Sequence, residues 1–144
     1  MKPCYLLDTN ALSEPLRPSP DEGILRGLEQ HRDFLATAAP VWHELVFGCC
    51  RLPPSKKRTA IERYVKEVVG ACLAILPYDA AAAEWHASER ARLGRLGLTP
   101  PFVDGQIAAI ARTHGLVLVT ANVADYMHFT ELEVEDWRVR PEAK

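Results

Sequence analysis

The sequence predicts an α/β fold, with a mostly parallel sheet covered by helices on both faces. Two observations carry this reading. Short apolar runs such as Cys4–Leu7 and Leu116–Thr120 have the character of strands buried on both sides. They alternate with longer stretches of helical periodicity, the pattern of strand–helix–strand crossovers.

Cys4–Leu7 is the first strand. A short helical piece from Asn10 is broken by Pro15, Pro18 and Pro20. Asp21–Gln30 follows as a helix with Ile24, Leu25 and Leu28 on its apolar side, and Phe34–Thr37 as a second strand. Pro40 suits a first helical turn, and Val41, Leu45, Gly48 and Leu52 recur at helical spacing until Pro53 and Pro54 end the run. Ser55–Val69 forms the next helix, grouping Ile61, Val65 and Val68, with Gly70 as its expected terminator. Leu73–Leu76 is a third strand. Asp79–Leu96 is a long alanine-rich helix whose expected packing residues are Trp85, Leu93 and Leu96. Beyond Gly97 and Pro100–Pro101, Val103–His114 is helical, and Gly115 leads into the strongest strand, Leu116–Thr120. A last strand is expected around Leu132–Val134.

The 144 residues suit one domain, 1–144, with a core that needs no staple. A net charge of −2 supplies no global cationic field, so any nucleic-acid binding rests on local charge. Cys4, Cys49, Cys50 and Cys72 form no CxxC pair and read as small buried hydrophobes in a reducing compartment. Asp8 interrupts the first apolar run far too early for a signal peptide, and no stretch is long enough to span a bilayer. The expected location is the cytoplasm.

Three acids stand where chemistry is expected. Asp8 closes the first strand, at the carboxyl edge where open parallel sheets bind ligands, although Asp-Thr-Asn is equally good turn and helix-cap chemistry. Glu44 sits early in the Pro40 helix, where it either gains from the helix dipole or projects into the crevice. Asp104 heads the stripe Asp104, Ile107, Ala108, Ala111, so it must cap its helix, find a cation or keep contact with water. Asn122 follows the strand LVLVT at another carboxyl edge, with Asp125 a turn later. Should Asp8, Glu44 and Asp104 converge, their repulsion raises at least one pKa unless a hard divalent cation, Mg²⁺ or Mn²⁺, shares the site. Such an ion supplies a water nucleophile and neutralises phosphoryl charge.

In this order and context, YLLDTNALSE, PVWHELVFG and FVDGQIAAIARTHGLVLVTANVADY resemble the PIN domain. They are most similar to the VapC-type toxins of bacterial and archaeal toxin–antitoxin pairs, over Lys2 to about Trp137. The resemblance implies a three-layer PIN-like fold and a Mg²⁺- or Mn²⁺-dependent endoribonuclease, restrained by a cognate antitoxin and commonly dimeric. Carried over by motif, Asp8, Glu44 and Asp104 form the metal centre and Asn122 supports it. Thr9 and Thr120 orient carboxylates or water, and Asp125 is a supplementary acid. The chain departs from the family at Ala121, where many relatives have a basic residue, and at Tyr126, where they have phenylalanine. The latter reads as a packing change.

RNA requires positive charge near such a centre. Residues 51–66 carry a local +5 from Arg51, Lys56, Lys57, Arg58, Arg63 and Lys66 against Glu62. Arg90, Arg92 and Arg95 add a second cluster, either of which is also consistent with plain solvated helix faces. Flipped bases have Trp42 or Tyr78 to stack on, although Trp42 fits core or dimer packing equally well. Cys49, Leu52, Ile61 and Val65 offer either core packing or a groove for a partner helix. His43 neighbours Glu44, but successive helical residues do not share a face, so it takes no part in the chemistry; His86 and His114 are expected at the surface or at helix ends. Two other functions begin from the same features: a DNA-directed metal-dependent nuclease or phosphatase, and a non-catalytic RNA-binding module.

Overall fold

The structure, a computed structural model, describes residues 2–139. Its strands are β1 (Tyr5–Leu7), β2 (Leu35–Ala38), β3 (Ala74–Leu76), β4 (Val117–Val119) and β5 (Val134–Glu135). All pair in parallel, in the order β3-β2-β1-β4-β5. The helices are α1 (Thr9–Ser13), α2 (Glu22–Gln30), α3 (Ala39–Cys50), α4 (Lys56–Arg63), α5 (Ala80–Arg95) and α6 (Phe102–Thr113). Leu6 and Leu7 of β1 and Leu118 and Val119 of β4 are all buried. Adjacent strand residues point to opposite faces, so the sheet must be covered on both sides. The result is a three-layer α/β fold, as the alternation of strands and helices led us to expect.

Three expectations about packing change. The α4 helix continues as a π-helix over Tyr64–Gly70. Its wider turn keeps Val65 and Val69 on one buried face and swings Val68 out to 48% exposure, so the stripe Ile61, Val65, Val68 does not form. Gly70 does not terminate the helix by a left-handed turn. A Cβ there would meet the Trp42 ring at 2.8 Å, so the glycine serves close packing. On α5 the buried positions are Ala82, His86, Glu89 and Leu93, whereas Leu96 falls at the helix end and is 63% exposed. Of the cysteines only Cys49 is buried. Cys4 precedes the paired strand, Cys50 ends α3, and Cys72 is in the helical residues that follow Gly70, where all three are exposed and free.

Helix α6 is buried almost all round through Gly105, Ile107, Ala108, Ala109, Ile110 and Ala111. Small side chains let α5 approach closely, and the imidazole of His86 occupies the space a Cβ on Gly105 would need. His86 is thus a core residue, not a surface one. Tyr78 Oη and His86 Nδ1 share a 2.8 Å hydrogen bond, Phe102 packs on the ring, and burial then the Arg90 charge lower its pKa. His114 is exposed with its Nδ1 2.9 Å from the Ile110 carbonyl, as expected at a helix end. Gly105→Ala is expected to cost about 1–3 kcal/mol through overpacking, read as a lower urea midpoint.

Candidate active site

β1 and β4 are neighbours, yet the chain leaves β1 toward β2 and returns to β4 only after α6. Their carboxyl ends therefore frame the topological switch point of the sheet, the usual crevice of an open parallel fold. Asp8 follows β1 and Thr120 follows β4, and the Leu7–Val119 register sets them side by side. The Asp8 amide donates to the Val119 carbonyl at 3.0 Å.

Both readings of Asp8 hold in one geometry. It caps α1, Oδ1 accepting from the Thr9 amide at 2.8 Å, while Oδ2 accepts from Thr120 Oγ1 at 2.9 Å. Thr120 Oγ1 also accepts from Asn10 Nδ2 at 3.1 Å and from the Asn122 amide at 3.0 Å. Two accepted bonds fill its lone pairs, so its single proton is directed to Asp8. Asn10 completes the clamp by accepting from the Ala121 amide at 2.9 Å.

Asp104 enters from the first turn of α6 and is partly buried. Burial, then the charges of Asp125 and Asp8, push its carboxyl up to about 6, against a hydrogen bond from Tyr126 that opposes the rise. Asp125 and Tyr126 belong to the 3₁₀ turn Val123–Tyr126. The Tyr126 hydroxyl donates to Asp8 Oδ2 at 3.3 Å, so the substitution for phenylalanine adds a polar contact and is not merely a change of packing. Asp8, Asp104 and Asp125 thus share one electrostatic environment, with Tyr126 spanning the first two.

Glu44 comes from the neighbouring helix α3. It is exposed in the second turn of α3, its Oε2 3.5 Å from His43 Nδ1. It lines a cavity of about 410 Å³ with Pro40, Tyr78, Val103 and Gln106, and the last two flank Asp104 along α6. Asn122 is exposed and contributes its amide, through Thr120, to the clamp on Asp8. Asn10 and the Tyr126 hydroxyl were not marked as site residues by the sequence. The signal for Asn10 lay in the DTN triplet, read there only as turn chemistry. Of the expected basic clusters, Arg92 is taken by Glu89, Arg58 by Glu62 and the Leu52 carbonyl, and Arg63 by Glu67. Arg90 stacks over Phe102 at 5.3 Å, beside the start of α6.

Among the described residues, no three Asp, Glu, His or Cys side chains form a ready-made cage for an ion. The donor set still suits Mg²⁺, which is commonly bound by one or two carboxylates plus waters and substrate phosphate. Like charges around Asp104 are the condition that such a cation relieves.

Residues 5–124 match the PIN domain family. This chain is a PIN-domain protein. It is 33% identical over 125 residues to Toxin FitB of Neisseria gonorrhoeae, covering 84% of this chain and 89% of that protein. Identity to VapC ribonuclease Y4jK of Sinorhizobium fredii is 32% over 124 residues, with the same coverages of 84% and 89%. Among solved structures, the crystal structure of FitAcB from Neisseria gonorrhoeae matches with a TM-score of 0.83 at 29% identity. That likeness covers 92% of this chain and 96% of the other. The PIN domain here is homologous to toxins of toxin–antitoxin pairs, and among its described residues no helix is long and apolar enough to cross a membrane.

Proposed function

We propose that this PIN-domain protein is a Mg²⁺- or Mn²⁺-dependent endoribonuclease toxin of the cytoplasm, acting as a homodimer and neutralised by a cognate antitoxin. The observation that carries the proposal is the Asp8 carboxylate held by hydroxyl donors at the carboxyl edge of β1 and β4, with the charges of Asp8 and Asp125 raising the Asp104 carboxyl. The likeness to Toxin FitB and to a VapC ribonuclease supports the same reading.

Asp8 and Asp104 are the residues to hold the ion, with Glu44 reaching in from the α3 wall and Asn122 supporting the site. When bound, the ion supplies a polarised water and offsets charge that develops on the phosphoryl group. The chain's own contribution is orientation. Thr9, Thr120 and Tyr126 hold the Asp8 carboxylate in one rotamer, and the Asn10–Thr120–Ala121 clamp holds Thr120. Asp125 adds negative charge, which strengthens attraction for a cation. Arg90, stacked on Phe102, is the cation to meet phosphate on this reading, and Tyr78, tied to His86, offers a stacking face beside Glu44.

The test uses partner-free protein with RNA and DNA at matched ionic strength, with and without Mg²⁺. Mg²⁺-dependent cleavage of RNA, lost in Asp8→Ala with the fold intact, is the expected result. Tight RNA binding without cleavage would make it a binding module, and preferred cleavage of DNA would redirect it to DNA.

A further inference from the structure

The Asp8 carboxylate offers about four lone-pair positions in all. Three are in use: Oδ1 accepts the Thr9 amide, and Oδ2 accepts both Thr120 Oγ1 and Tyr126 Oη. The vacant position is on Oδ1. Tyr126 is 2% exposed, packed against Phe129 and held in the Val123–Tyr126 turn, so its hydroxyl has little freedom to leave.

We propose that Tyr126 is a positioning residue that restricts Asp8 to one coordinating oxygen and so biases the centre toward Mg²⁺ over larger divalent ions. The proposal rests on the metal-dependent reading above. Mg²⁺ demands near-octahedral geometry with short bonds, which single-oxygen carboxylates provide. Ca²⁺ accepts six to eight oxygens and readily takes both oxygens of one carboxylate. With Oδ2 filled by two hydroxyl donors, the two-oxygen mode is closed.

Calorimetric titration of RNA-free protein with Mg²⁺ and with Ca²⁺ tests this in wild type, Tyr126→Phe and Asp8→Asn, with circular dichroism confirming the fold. Tyr126→Phe is nearly isosteric and removes only the hydroxyl. Mg²⁺ affinity should fall about tenfold, as for other supporting partners of metal ligands, while Ca²⁺ affinity stays or rises. The Mg²⁺/Ca²⁺ preference therefore moves about tenfold. Thr120→Val, which vacates the same oxygen, should shift that preference in the same direction. Unchanged affinities, or equal losses for both ions, overturn the positioning role while leaving the metal centre standing. No ion binding by wild type, or none that Asp8→Asn removes, overturns the metal centre and this proposal with it.

Discussion

Asp104→Asn should abolish RNA cleavage while making the ion-free protein more stable at neutral pH. On the metal-dependent reading proposed above, the activity loss follows from removing a charge that would face the cation, and a fall of about 10²–10³-fold is the scale for one lost electrostatic contact at a reacting centre. The stability gain follows from linkage. The folded carboxyl sits at about 6, above its ordinary value near 3.8, so between those values the fold binds more protons than the unfolded chain. Stability is therefore lost as pH rises through that window, and the loss is complete above about pH 6. Asparagine has no such penalty. Because Asp104 is only partly buried, solvent screening reduces the gain to about 1 kcal/mol. Thermal melts in chelator at pH 7.5 should show the variant higher, and melts near pH 4 should bring the two together. Adding Mg²⁺ should then raise the wild-type midpoint and leave the variant unmoved. A variant no more stable than wild type at pH 7.5 would contradict the crowding of acids around Asp104.

Glu89→Gln should destabilise the fold measurably although it lies away from the crevice. Glu89 is 6% exposed and accepts two 2.9 Å bonds from Arg92 and one of 2.7 Å from the Thr130 amide. Arg92 also donates to the His128 carbonyl at 2.8 Å, so the pair staples α5 to the segment that follows Tyr126. Chiefly the Arg92 bonds hold the Glu89 carboxyl at about 2, well below its usual 4.5. This contribution is present in full above the unfolded value and disappears as pH falls toward 2. An amide keeps the shape but forfeits the charge-assisted bonds, costing on the order of 2 kcal/mol, or roughly 6 °C in melting temperature. At pH 2 the difference between variant and wild type should vanish. A constant difference at all pH values would show that packing, not the ionised pair, holds this segment.

These two acids also show where sequence reasoning succeeds and where it stops. The strands, the helices and their alternation were legible because burial on both faces imposes apolar runs and helical periods. Asp8 and Asp104 stood out as charges at the ends of such runs. Glu89 did not, since its need for burial comes from a loop 41 residues later, which no local period records. His86 was misread for a similar reason: its space is created by the missing side chain of Gly105 on another helix. Val68 was lost to a change of helical pitch, and Tyr126 was judged by its ring when its hydroxyl makes the contact. Asn10 looked like turn chemistry because the partner that gives it a second role lies beyond β4.

The chain separation at the crevice bears on when the protein can act. Asp8 meets Thr120 and Tyr126 across 112 and 118 residues, and the central strand β1 has no neighbour on one side until β4 arrives. During synthesis, which proceeds from the amino terminus, the first acid therefore waits for nearly all the rest to leave the ribosome. A nascent or truncated product should lack the Thr120 and Tyr126 contacts that hold Asp8. The crevice would assemble in one late step, when the β4 edge docks beside β1.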